Sequence, residues 1–157
     1  MKTTHLGGLV VAAGLFLAAC NAANPQASGG GGYATGTTKQ QVSAPTTVHT
    51  AQSKLGRILV DAHGRTLYAF TNDANGSSTC EGACADAWPP VAASGATMPG
   101  QGLDAALFSK VTRSDGTSQL RVGKWPVYLY AGDGAPGDVN GQGSGGTWFV
   151  IGPNGQS

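Results

Sequence analysis

Beyond Leu55 the apolar residues fall in short runs of four to six, rich in Val, Ile, Leu and aromatic side chains, and each run ends at a Gly-, Asp- or Pro-containing turn. Runs of that length with such punctuation predict strands rather than helices. The candidate strands are Arg57–Asp61, Thr66–Phe70, Ser109–Arg113, Gln119–Val122, Val127–Tyr130 and Thr147–Ile151. Ala62-His63-Gly64 and Ser114-Asp115-Gly116 read as hairpin turns in which Gly takes a positive φ. Only Cys80–Trp88 and Leu103–Ser109 have the composition for a helical turn or two. The prediction is an all-β domain with small α content over residues 55–153, built of antiparallel strands. At roughly 100 residues it is large enough to fold alone. Residues 154–157 are expected to form a tail.

Upstream the texture is different. Asn21 to Lys54 consists largely of Ala, Gly, Ser, Thr, Gln and Pro, includes four consecutive glycines from Gly29 to Gly32, and holds no acidic residue. Such a stretch cannot bury enough surface to offset its ordering entropy, so residues 20–54 are expected to act as a flexible tether spanning on the order of 30 Å. Tyr33 and His49 lie in it without an assigned role. Before it, Lys2 precedes an uncharged apolar run from Leu6 to Ala19, too short to span a bilayer, which takes roughly 20 residues. Residues 1–19 therefore read as a signal peptide. The run ends in Leu17-Ala18-Ala19-Cys20, which resembles the bacterial lipobox. The resemblance implies that Cys20 takes a diacylglyceryl group and becomes the new N-terminus, palmitate and all, holding the protein on a membrane of the cell envelope. Asn21 rather than Asp follows, which favours the periplasmic face of the outer membrane if the cell is Gram-negative.

Cleavage alters the charge balance. The chain carries nine Lys and Arg against eight Asp and Glu, and loss of Lys2 leaves eight of each. No basic stripe survives, which argues against nucleic acid as a partner. Three cysteines less the acylated one leave Cys80 and Cys84, an even pair in an oxidising space.

The β region repeats itself. A shift of 60 residues lays Leu67-Tyr68-Ala69-Phe70-Thr71-Asn72-Asp73 on Val127-Tyr128-Leu129-Tyr130-Ala131-Gly132-Asp133, and Trp88 on Trp148. Two internally repeated antiparallel β units, packed with approximate two-fold symmetry, are therefore expected. Tyr68 and Phe70 should face one side of a strand, as should Tyr128 and Tyr130, and each Asp falls where it can accept from turn amides. This pattern resembles the bacterial predicted lipoproteins with the Tyr-x-(Phe/Trp/Tyr)-x-x-Asp motif, also described as a secreted repeat of unknown function. The family marks here are Tyr68, Phe70 and Asp73, then Tyr128, Tyr130 and Asp133, together with Cys80 and Cys84, Trp88 before Pro89-Pro90, Thr112-Arg113-Ser114-Asp115-Gly116, and Trp148. Leu120-Arg121-Val122 departs from the aromatic strand expected ahead of the second motif. The resemblance implies a lipoprotein repeat domain and brings no established activity.

The chemistry is then a matter of the residues themselves. A Cys-x-x-x-Cys pair reads first as a disulfide, because one helical turn sets the Cα atoms about 6 Å apart. The alternatives are a soft-metal site for copper, which needs a third ligand such as His63, and a redox pair, which lacks the two-residue spacing of thioredoxins. His63 is the only His beyond Leu55 and Met98 the only Met. One His gives no support for a hydrolytic triad, and the Gly-rich stretch from Gly141 runs into a strand instead of opening a helix. The Asp133 to Gly141 loop offers oxygen ligands but lacks the spacing and terminal Glu of a calcium-binding EF-hand loop. The aromatic residues are expected in the core. The expectation is a non-enzymatic envelope domain, without a cofactor, that binds or scaffolds an unidentified envelope protein or small ligand through its loops.

Overall fold

The computed structural model of the chain describes residues 44–157. The signal segment, Cys20 and the tether up to residue 43 lie outside the described residues. Among the described residues there are eight strands, one short helix and three 3₁₀ turns, so the all-β expectation holds. The strands are β1 (Thr46–Ser53), β2 (Gly56–Asp61), β3 (Tyr68–Phe70), β4 (Thr97–Pro99), β5 (Phe108–Thr112), β6 (Ser118–Val122), β7 (Trp125–Tyr128) and β8 (Trp148–Val150), with α1 at Ala83–Ala87. They form a three-stranded sheet in the order β2-β1-β4 and a five-stranded sheet in the order β5-β6-β7-β3-β8.

Several boundaries differ from the sequence expectation. Strand pairing begins at Thr46, ahead of Leu55: Thr46-Thr47-Val48-His49-Thr50 is rich in β-branched side chains that suit a pleated surface, and β1 pairs with β2 from Val48 opposite Asp61 to Ser53 opposite Gly56. His49 is therefore an exposed strand residue and not part of a tether. β4 was not foreseen, and it runs parallel to β1, an exception to the antiparallel plan. β7 starts two residues early because Gly123-Lys124 forms a two-residue turn that sets Trp125 against Val122. The expected tail at residues 154–157 folds back, with Gly152 N donating to Gln156 O at 2.8 Å and Gly155 buried. Gly64 and Gly116 close the two expected turns with φ of 78° and 80°.

The repeat is visible as symmetry. β3 and β7 pair antiparallel with Tyr68 directly opposite Tyr128, so positions 60 residues apart meet at the local two-fold axis. On the outer side of β3, Val150 sits opposite Tyr68; beside β7, Pro90 sits opposite Tyr128, again 60 residues away. Alternation sends the side chains of this central pair to two different cores. Leu67, Ala69, Val127 and Leu129 join Leu59, Leu120, Val122 and Ile151 in an aliphatic cluster on one face. Tyr68, Tyr128, Phe70 and Tyr130 join Trp88, Trp148 and the cysteine pair on the other.

Candidate functional site

The aromatic face collects nearly every residue that the repeat singles out. Trp88 and Trp148 stack face to face, with ring centroids 3.9 Å apart and planes within 1°. Phe70 stacks on the outer face of Trp148 at 4.3 Å and Tyr130 on that of Trp88 at 4.2 Å. The result is a four-ring column in which each half of the repeat supplies one Trp and one capping ring. Tyr68 and Tyr128 stand nearly perpendicular to Trp88 and Trp148, with ring centroids 5.4 and 5.2 Å apart, the T-shaped geometry that ring quadrupoles favour. Gly141 lets the column close, since a Cβ there would lie 2.7 Å from Trp88 Cη2.

The two phenols lock the halves together. Tyr68 Oη donates to Asp133 Oδ2 at 2.8 Å, and Tyr128 Oη donates to Asp73 Oδ2 at 2.5 Å. Each Tyr thus reaches the Asp of the other repeat. The remaining carboxylate oxygens hold turns: Asp73 Oδ1 accepts from Thr79 N and Oγ1 at 2.9 and 2.6 Å, and Asp133 Oδ1 accepts from Asn140 N at 3.0 Å. Burial, reinforced by the hydrogen bond to a carboxylate, raises both phenols above their ordinary value of 10.

The symmetry stops beyond the first partners. Asp73 is fully buried, and Ser78 Oγ lies 2.7 Å from Tyr128 Oη. With the phenolic hydrogen committed to Asp73, Ser78 is the donor of that pair. Arg113, also buried, donates to Ser78 Oγ at 2.5 Å, to Gln119 Oε1 at 2.9 Å and to the Cys80 carbonyl at 2.7 Å. Its guanidinium is the cation nearest in this network to the buried carboxylate, one hydroxyl bridge and one phenol away. Sequence reasoning missed this role, because an Arg just ahead of a hairpin turn reads as solvated; Gln119 near the start of a strand was the one local sign of a buried polar network. Asp133, by contrast, is only half-buried.

Cys80 and Cys84 form a disulfide with Cα atoms 5.3 Å apart. Cys80 is buried against the aromatic column and Cys84 half-buried at the start of α1. His63 lies elsewhere, in the turn after β2, 78% exposed and 3.7 Å from Asp61. Among the described residues no three His, Cys, Asp or Glu side chains converge as metal ligands, so His63 is not assembled with the cysteine pair.

A cleft of about 410 Å³ opens on another side of the domain, between the first residues of β1, the Asp61–Arg65 turn and the Pro89–Ala92 segment. Pro45, Pro89, Pro90, Val91 and Leu129 contribute apolar lining, and Asp61, His63 and Arg65 contribute polar lining. Its frame is tied by backbone bonds from Leu129 N to Pro89 O at 2.8 Å and Asp61 N to Arg65 O at 2.9 Å, and by Thr46 Oγ1 donating to Ala92 O at 2.9 Å. Burial pushes the Asp61 carboxyl up, but the Arg65 side chain and the amides of Arg65 and His63 outweigh it and hold the group below its ordinary range.

A family model described as a secreted repeat of unknown function matches this chain twice, over residues 49–92 and 109–151. The two matches start 60 residues apart, the spacing of the structural repeat, and together cover just over half of the chain. No curated protein and no solved structure matches it.

Proposed function

The chain belongs to the family of secreted repeats of unknown function, and on that premise we propose that it is a non-enzymatic binding module of the cell envelope, held to a membrane by a lipid on Cys20. The cleft between β1, the Asp61–Arg65 turn and Pro89–Ala92 is its ligand site, and the geometry of that cleft carries the reading. A preformed concavity lined by apolar residues with a few polar side chains suits a small, mostly apolar ligand bearing one hydrogen-bond acceptor for Arg65 or His63. Asp61 is engaged by four donor atoms of its own turn, an arrangement fitted to hold Arg65 in place rather than to exchange protons. The residues that the repeat duplicates build the rigid core behind the cleft, and the loops do the binding.

An amide-resolved NMR titration of the mature domain with a small-molecule fragment library tests the site. Hits should shift Thr46, His63, Arg65 and Ala92 together, and Arg65→Ala should weaken them. Hits that map consistently to another surface would overturn the assignment. The anchor is tested separately by metabolic palmitate labelling, in which Cys20→Ser should abolish the label and release the protein from the membrane fraction. Label persisting in that variant would refute the lipid site.

A further inference from the structure

The aromatic column is an electronic structure as well as a packing one. Aromatic pairs in cores generally settle into offset or edge-on geometry, whereas Trp88 and Trp148 overlap with parallel planes at 3.9 Å. Two cofacial indoles share a positive hole, so a radical cation on the pair is stabilised relative to one on a single ring. The column reaches half-buried rings at both ends, Phe70 and Tyr130, which brings an oxidant within contact of it. On its flanks stand Tyr128 and Tyr68, nearly perpendicular to the indoles, with hydroxyls already bonded to Asp73 and Asp133.

We propose that this column is a radical-relay site that accepts a single oxidising equivalent from an oxygen-centred radical and delivers it to Tyr128 or Tyr68. The radical takes one electron from the indole pair and leaves as its anion. A phenol then returns one electron to the indole pair and passes its proton along the existing hydrogen bond to the carboxylate, Tyr128 to Asp73 or Tyr68 to Asp133. One neutral tyrosyl radical and one carboxylic acid remain, and no other bond is made or broken. The phenols are held protonated at neutral pH by burial and by their carboxylate partners, so an acceptor in hydrogen-bond contact is what their oxidation requires. Trp125 lies outside this arrangement, in the aliphatic cluster, with Lys124 Nζ 4.5 Å above its ring. That cation disfavours a hole there, which leaves the stacked pair as the preferred resting place.

Pulse radiolysis with the azide radical, a one-electron oxidant of tryptophan, provides the test on the mature folded protein. The tryptophan radical should convert to tyrosyl radical at a rate independent of protein concentration and slower in D₂O. Asp73→Asn with Asp133→Asn should slow the conversion by at least about tenfold, and Trp125→Phe should leave it unchanged. If the double Asn variant does not fold, the isotope effect and the comparison with urea-unfolded chain decide the matter alone. A radical that stays on tryptophan, a conversion equally fast in the unfolded chain, or the absence of an isotope effect would overturn the proposal.

Discussion

Replacing Tyr128 by Phe removes one hydroxyl and leaves the ring in its place between β3 and Trp148. Asp73 Oδ2 then loses the donor it holds at 2.5 Å, in a residue with no exposed surface. Hydrogen bonds to charged groups contribute about 1.5–3 kcal/mol, and a buried acceptor stripped of its partner costs toward the upper end. Tyr128→Phe should therefore destabilise by about 2–3 kcal/mol. The repeat-related Tyr68→Phe removes a 2.8 Å bond to Asp133 and a long 3.3 Å bond accepted from Gly141 N, but the carboxylate is half-exposed, so water can replace the phenol there. Its cost should be about 1 kcal/mol. For a domain of this size the two variants should lower the thermal midpoint by roughly 8–12 °C and 4 °C. Truncation to Ala should erase most of the difference, since both rings are fully buried and each loss is then about 3–5 kcal/mol of packing. Thermal and urea unfolding followed by circular dichroism, with Asp73→Asn and Asp133→Asn completing two double-mutant cycles, measures all of this. Equal losses for the two Phe variants, or a larger one at Tyr68, would refute the argument that burial of the Asp sets the strength of each lock.

Gly141→Ala places a Cβ 2.7 Å from Trp88 Cη2 and 3.0 Å from Tyr68 Cε1; it should cost about 1–3 kcal/mol and weaken the near-UV dichroism of the stacked indoles. Asp61 sits below its ordinary 3.8 in the folded state, so its contribution to stability is present above that value and is lost as pH falls through the folded pKa; acid titration of wild type against Asp61→Asn should show the variant with the flatter slope below about pH 4. Tyr68 and Tyr128 are raised, so stability should decline as pH climbs above 10, and the two Phe variants should each flatten that alkaline limb in equilibrium unfolding. The Cys80–Cys84 bridge closes a very small loop and should contribute about 2 kcal/mol; mass spectrometry after thiol alkylation across a glutathione series should find it oxidised to about −300 mV, and free thiols in the native protein would contradict a structural role.

Much of this architecture is local and was therefore legible in the chain itself. Short β-branched runs with Gly-bearing turns specify strands, because the pleat and the positive φ are demands that each residue meets alone. The 60-residue shift marks a duplicated unit, and alternation along Tyr68-Ala69-Phe70 and Tyr128-Leu129-Tyr130 assigns those aromatics to one face without any knowledge of the partner. β1 escaped notice because Thr-Thr-Val-His-Thr resembles tether composition, and only its pairing with β2 and β4 makes it part of the sheet. The antiparallel meeting of Tyr68 with Tyr128 was equally out of reach, since a repeat says that two units are alike and not how they dock. From that single register follow the crossed Tyr–Asp bonds, the cofacial tryptophans and the four-ring column, each joining residues of one repeat to residues of the other, 42 to 78 positions away in sequence. The buried Arg113 and the cleft beneath Pro89–Ala92 belong to the same class: both arise where distant segments enclose a volume, and enclosure is a property of the packed chain rather than of any stretch of it.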